Sequence, residues 1–405
     1  MFGRDGMENI VSNDKAGADG SVTAPGKPYI SPRAKARMLW VTIHRWMGIV
    51  LLIPMAVLGV TGSAQVWPEE TEALLNPARE VSATADPADI SQAHVAAARE
   101  ALAPYGTISR IEMGEVGEPI IVTSTPYADP PFGIGAPGGM TRQVWLDPAS
   151  AQVIDNADSA GGFMWYMHFI HGLFLIPGWG RQLVGWMGIF LTVSAITGIY
   201  IFWPGKARFM AALKWQKRDG KAMNIHRQSG VILSIVIIVE AITGAWISFP
   251  GVMASIVEPG VEQPERRRGG FGPQGDPLVM EDAQWMQALA SARLAHDGRP
   301  TAISAPVEGG SWAVTLAGEG VNANVAVPVI EGEVTVEESP AFDGPPPAPT
   351  RAIAVAGTMR GLHYATIGGI VWQLLVFLSG LVLTFLAVSG VYVWGKRELK
   401  RLRKA

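Results

Sequence analysis

Cysteine is absent from all 405 residues. That excludes disulfides, thiolate-held zinc, iron–sulfur clusters, dithiol redox motifs and haem tethered through C-x-x-C-H. Charge is scarce as well. Asp, Glu, Lys and Arg together make up 17% of the chain, against about 25% in an ordinary soluble domain. The net charge of −3 leaves no basic footprint for nucleic acid. No Gly-rich dinucleotide fingerprint follows a strand-like segment, so a nicotinamide or flavin is not expected to be bound by this chain. What the chain has in excess is apolar surface, at 48%, and tryptophan, with 14 Trp to 7 Tyr. Both suit a membrane–water interface.

Four apolar runs are long enough to cross about 30 Å of hydrocarbon. They lie at Trp40–Trp67, Leu183–Trp203, Ile225–Phe249 and Ile370–Trp394. The first is too long, and starts too late, for a cleaved signal peptide. All ten Lys lie in the terminal segments and the short connection 205–224. Segments 68–180 and 251–360 instead carry fourteen acids each, against four and seven Arg. By the positive-inside rule both termini and the short connection are cytoplasmic and both long segments lie outside. The expected layout is a cytoplasmic tail over 1–35, which is too polar to order itself, and a first span over 36–67. An outer domain follows over 68–165, then a His-bearing segment with the second span over 166–204. The cytoplasmic loop is 205–224 and the third span 225–250. A second outer domain covers 251–355, a His-bearing segment with the fourth span 356–395, and a cytoplasmic tail 396–405. Each outer domain reads as α+β. Ile90–Leu102 and Ala283–Ala295 are helical in period. Glu118–Thr123, Gln143–Leu146, Trp312–Leu316 and Val325–Ile330 are strand-like. Arg266–Arg268 is a short basic run, read as solvated or facing an anionic ligand or headgroup.

The chain is internally duplicated. His44 precedes Gly62 by 18 residues and His226 precedes Gly244 by 18. His171 precedes Gly198 by 27, and His363 precedes Gly390 by 27. Each half runs span, outer domain, span in one orientation, which is a parallel repeat about an axis along the membrane normal. The fold class that follows is an all-α four-helix transmembrane bundle with two outer α+β domains. Five of the seven His sit at span ends. The repeat sets His44 opposite His226 near one surface and His171 opposite His363 near the other. Two layers of paired imidazoles are what two stacked non-covalent haems require, each iron taking two axial nitrogens. The glycines share the face of the His in their own run and leave room for a flat macrocycle or a helix. His168, one turn before His171, is a residue beside the ligand or a ligand for substrate iron. Arg45 and Arg227 are positive-inside anchors or partners of haem propionates. Glu240 stands mid-span where the first half has Leu58. It is a proton relay or tuning group, or a protonated Glu bonded to a neighbouring helix. His94 and His296 read as ordinary surface or satisfied residues.

The paired Ile-His-Arg span starts, the His-to-Gly spacings and the Val144-Trp145-Leu146-Asp147-Pro148 stretch resemble the PepSY-associated transmembrane family. Within it, the chain is similar to the inner-membrane ferric-siderophore reductases of Gram-negative bacteria, over about residues 35–400. The resemblance implies PepSY-like outer domains in the periplasm and two b-type haems, with His44, His226, His171 and His363 as the matched ligand positions. It implies an oxidoreductase passing electrons from the cytoplasmic side to periplasmic ferric siderophore or another ferric chelate, with release of Fe(II). The donor would be a quinol or a separate cytoplasmic reductase. Two rivals make other demands. A non-enzymatic membrane sensor or regulator needs no haem, and a transport accessory needs a polar path along the spans, whose middles are almost free of ionisable residues apart from Glu240.

Overall fold

The computed structural model describes residues 31–81, 85–135, 138–203, 213–215, 220–260, 275–318, 322–329, 334–338 and 350–403. The tail up to residue 30, most of the 205–224 loop and the run Arg266–Arg268 lie outside the described residues. The first half consists of α1 (Pro32–Val50), α2 (Leu52–Ala64), α3 (Pro68–Leu75), α4 (Gln92–Leu102), β1 (Ile108–Met113), β2 (Ile120–Ser124), β3 (Arg142–Leu146), β4 (Val153–Asp158), α5 (Phe163–Leu173) and α6 (Gly180–Phe202). The second half repeats the order. It consists of α7 (Lys221–Ser248), α8 (Pro250–Val257), α9 (Asp282–Ala295), β5 (Arg299–Ser304), β6 (Ser311–Ala317), β7 (Asn322–Pro328), β8 (Thr335–Glu338), α10 (Arg351–His363) and α11 (Gly369–Leu402).

Helix α6, helix α7 and the stretch Gly369–Lys396 of α11 are long and apolar enough to cross a membrane. The first span, expected as one helix over 36–67, is instead two helices bent by 65° at Leu51. The cause is Pro54. Its ring crowds the Val50 carbonyl and offers no N–H to it. The repeat counterpart of Pro54 is Val236, and α7 runs straight through that position. The chain also turns helical at Pro32, inside the expected tail, and the last helix continues past 396 to Leu402. Helix α2 packs on α11, α11 on α7, α7 on α6, and α6 on α1. Small residues let these backbones approach. A Cβ on Gly188 would lie 2.8 Å from the Ala241 carbonyl oxygen, and Gly59 meets Gly380 in the same way. Hydroxyls add bonds between helices, from Ser63 to the Phe377 carbonyl at 2.8 Å and from Thr384 to the Ala56 carbonyl at 3.1 Å.

The two outer segments share one eight-stranded sheet in the order β4-β3-β2-β1-β5-β6-β7-β8. The expected pair of α+β units thus meets along a hydrogen-bonded seam, where β1 and β5 run antiparallel. The seam is centred on Ile111 opposite Ile303. These two are 192 residues apart, the same offset as His171 to His363 and Gly198 to Gly390. One pseudo-two-fold axis therefore relates the sheet and the span ends below it. Helices α4 and α9 cover one face. They bury Val95, Ala98, Leu102, Trp285 and Leu289 on the alternating apolar residues of the strands. Each helix grips the lead-in of the other. Arg99 binds Asp282 at 2.5 Å and the Met280 carbonyl, and Arg293 binds the Ala88 carbonyl at 2.6 Å. His94 is a buried cap. Its Nδ1 accepts from the Ser91 amide, and Nε2 lies 3.1 Å from the Pro148 carbonyl.

Arg299 also crosses the seam, to Asp86 at 2.6 Å and to the Gly114 carbonyl. The Arg299 hydrogen bond holds the Asp86 carboxyl below its ordinary value. A carboxylate depressed on folding adds stability above its unfolded value of about 3.9 and loses it as pH falls through the folded value. The pair is about a third exposed and screened, so it is worth less than about 1 kcal/mol. Asp86→Asn should lower the thermal unfolding temperature slightly at pH 7. The gap from the parent should close in acid, as read by unfolding scans across pH.

Candidate functional site

The four repeated histidines share one local construction, which the sheet-end pair shows most fully. His171 lies in the last turn of α5. Its Nδ1 is 3.1 Å from the Leu58 carbonyl and 3.2 Å from Thr61 Oγ1. The Thr61 hydroxyl already donates to the Val57 carbonyl at 2.8 Å, so it accepts from the ring. Nδ1 therefore carries the proton, and Nε2 keeps its lone pair. Gly62 makes room for the ring, since a Cβ there would stand 2.7 Å from His171 Cε1. His363, ending α10, repeats this with Thr243 Oγ1 at 3.1 Å and Gly244 under the ring, where a Cβ would stand 3.0 Å from Cε1.

At the opposite end the roles of the spans are exchanged. His44 on α1 donates from Nδ1 to the Ser194 carbonyl at 2.9 Å, with Thr197 Oγ1 at 3.2 Å and Gly198 beneath. His226 on α7 has Nδ1 at 3.0 Å from Ser389 Oγ, with Gly390 beneath. Each half is thus a reciprocal clasp in which the two runs trade a histidine for a hydroxyl–glycine pair. The glycines do not serve the histidine of their own run, as the shared helical face suggested. They serve the histidine of the neighbouring run, because helices side by side bring His44 to Gly198 and Gly62 to His171. Among the described residues, no hydrogen bond reaches Nε2 of any of the four.

The clasps bring His171 and His363 together across the axis. The rings of His171 and His363 have centroids 6.0 Å apart and a 43° tilt. Two imidazoles bound to one metal through bonds of about 2 Å place their ring centres roughly this far apart. The two sheet-end rings line a cavity of about 360 Å³, together with Gly62, Gly244, Glu240, His168 and Arg181. Its volume falls in the range of cofactor sites. Among the described residues no three His, Cys, Asp or Glu cluster to hold a bare metal ion. The donor set is two imidazoles in a small-residue cradle, each with Nδ1 hydrogen-bonded, and that fits the iron of a flat macrocycle.

The other expected site residues are placed as follows. His168 points Nδ1 at Gln65 Oε1, 3.2 Å away, and lines the cavity beside His171. Gln65 is fixed by the Thr61 and Met167 carbonyls. Glu240 reaches His363 Nδ1 at 3.2 Å. Arg45 is exposed and lies over Trp46. Arg227 binds the Lys214 carbonyl at 3.1 Å and Asn224 at 2.8 Å, holding the connection between the halves. Gln65 and Arg181 escaped the sequence reading. Each belongs to one half alone, where the repeat has Ile247 and Gln373, so the duplication gave no signal for them.

On the uncovered face of the sheet a cleft of about 1240 Å³ runs from Glu112, Ile121 and Trp145 to Phe163 and Trp165 of α5. Arg79 lies 3.9 Å over the Trp145 ring and is tied to Asp155 at 2.6 Å. Arg142 binds Asp158, which also accepts from the Tyr127 hydroxyl. Burial, then Asp158, pushes the Tyr127 hydroxyl up to about 12. The Trp165 and Phe169 rings meet with centres 4.6 Å apart at a 52° tilt, and Phe169 meets the His168 ring and lines the cavity. An aromatic chain therefore joins the cleft to the sheet-end histidines.

A family model for the PepSY-associated TM region matches residues 41–397. The chain belongs to that family. Comparison with curated proteins finds no match. The matched PepSY-associated TM region contains all four clasped histidines, both hydroxyl–glycine sets and the whole sheet.

If Gly62 is the seat of a fixed imidazole, Gly62→Ala overpacks the clasp and should cost about 1–3 kcal/mol. Gly48→Ala, at a helical glycine with nothing within 4 Å, should be neutral or stabilising by about 0.5–1 kcal/mol. Thermal unfolding in one detergent compares the two. Equal effects would remove the steric role assigned to Gly62.

Proposed function

We propose that this PepSY-associated TM protein is a di-haem b reductase of the inner membrane. In this reading it passes single electrons from the cytoplasmic side to a ferric siderophore or similar chelate in the periplasm. One observation carries the reading: His171 and His363 face one another across the axis, and all four repeated histidines commit Nδ1 to an acceptor while, among the described residues, no hydrogen bond reaches Nε2. The confinement of Lys to the tails and the short loop supports cytoplasmic termini and a periplasmic sheet.

Haem bound at each pair would supply a one-electron carrier near each surface. The residues do the rest. His44 with His226, and His171 with His363, would hold the haem through their Nε2 atoms, and the haem would supply one-electron transfer there. Thr61, Thr197, Thr243 and Ser389 keep each ring in one tautomer and one plane. The glycines set ring depth. The cleft offers aromatic faces, arginines and carboxylates to a chelate, and Trp165 and Phe169 lie between it and the sheet-end pair. Each Fe(III) takes one electron and becomes Fe(II), which an oxygen-donor chelator holds less tightly. A quinol donor would release two electrons and two protons and so serve two ferric ions.

Purified protein should carry close to two haems, extractable by acidified organic solvent because no cysteine tethers them. His171→Ala and His363→Ala should lose the same haem, and their combination should lose no more, since partners in one site are not additive. His44→Ala and His226→Ala should together define the other. Haem counts and reduced-minus-oxidised spectra decide this. A colourless protein from haem-replete cells would sink the reductase and favour the membrane sensor.

A further inference from the structure

The two halves furnish the sheet differently. At the offset that pairs Ile111 with Ile303, Glu112 answers to Ser304 and Glu118 to Gly310. Ile121, paired with Trp145 across β2 and β3, answers to Ala313, paired with Ala326 across β6 and β7. The second half builds the same strands from small residues, so the acids and the large apolar side chains of the first are surplus to the sheet. Those four first-half residues line the cleft of about 1240 Å³. It is larger than the ~300–1,000 Å³ of most small-molecule sites. Its two arginines are already spent. Arg79 is held by Asp155 at 2.6 Å and Glu72 at 3.5 Å, and Arg142 by Asp158 at 2.8 Å. Glu112 takes Arg110 at 2.9 Å. Glu80 and Glu118 also line the cleft, and both are exposed. Among the described residues no cation is paired with either; Glu118 accepts only from the Glu115 amide, at 2.8 Å. With these partners included, six carboxylates meet three guanidiniums, and every Lys lies elsewhere in the chain. Among the described residues no three acids stand close enough to hold a bare cation, so the negative field is spread over the wall.

We infer that the cleft admits uncharged or cationic ferric chelates, above all one that bears an ammonium group, and that Glu80 and Glu118 turn anionic chelates away. The inference rests on the reductase reading above and names the substrate class of that site. Three hydroxamates carry one negative charge each and cancel Fe(III), so a tris(hydroxamate) chelate is neutral, or cationic with one pendant amine. Three catecholates carry two charges each and leave a trianion. A concave wall of one sign concentrates ligands of the opposite sign and repels those of its own. Phe163 and Trp165 of α5 line the same cleft, and ring faces also attract an ammonium group.

The test is equilibrium binding of gallium(III) chelates to the full-length protein in an uncharged detergent, read by calorimetry. Gallium(III) has the charge and nearly the size of ferric ion and resists reduction, so binding is read apart from electron transfer. One linear tris(hydroxamate) is used with its terminal amine free, acetylated or succinylated, which makes the complex cationic, neutral or anionic. At low salt the cation should bind about tenfold more tightly than the anion, with the neutral form between them, and added salt should narrow the gap. This order is read on the parent alone. Glu80→Gln combined with Glu118→Gln keeps both shapes and leaves an oxygen for the Glu115 amide. It should cut the cation-to-anion ratio by about threefold or more and leave the neutral form bound as before. In a protein that carries two haems, equal binding of the three forms, tighter binding of the anion, an unchanged ratio in the double variant or no binding at all overturns this inference and leaves the reductase reading standing. A parent without haem overturns the reductase reading, and this inference with it.

Discussion

The organising contact of this protein is an imidazole whose Cε1 edge closes on a glycine, its Nδ1 proton taken by the hydroxyl of the residue before that glycine or by a nearby carbonyl. Each of the four copies needs two helices at close range. One brings the histidine, and the other brings the small residue and the acceptor. Because each half makes two such contacts in opposite senses, its two runs are held in register at both ends. The rest follows from that register: the facing rings of His171 and His363, the cavity they line, and the approach of Gly188 to Ala241.

The duplication is closed by the sheet rather than only by the spans. Ile111 pairs with its own repeat counterpart, Ile303, so the axis that relates the histidines also runs through the seam. Arg99 and Arg293 then lock α4 and α9 across it. A seam of this kind joins the outer units into one continuous sheet. The cleft on the uncovered face and the Trp165–Phe169 contact lie in the first half, so the two halves are not equivalent outside the axis.

The departures from symmetry carry the individuality of the chain. Pro54 breaks the first span where Val236 leaves the third intact. Gln65 and His168 form a pair that Ile247 and Arg360 cannot repeat. Glu240 replaces the plain main-chain acceptor beside Leu58. A repeated motif reports what a fold needs twice, and a residue present once, buried and polar, reports something else.

Much was legible in the chain itself. Apolar run length and charge bias named the spans, equal His-to-Gly spacings named the repeat and its four histidines, and alternating patterns found α4, α9 and half the strands. These are local or periodic signals, so a linear reading reaches them. The bend at Pro54 was available in principle, but proline is tolerated in apolar spans often enough to be read past. Which glycine sits under which histidine was not legible, because His44 and Gly198 are brought together by helix packing across 154 residues of chain. The joining of β1 to β5 was equally hidden, since an edge strand shows its need for a partner and not the partner's name. Sequence determined the elements and the chemistry of the side chains. Tertiary structure alone decided who faces whom, because a hydrogen bond or a van der Waals contact depends on distance in space and takes no account of distance along the chain.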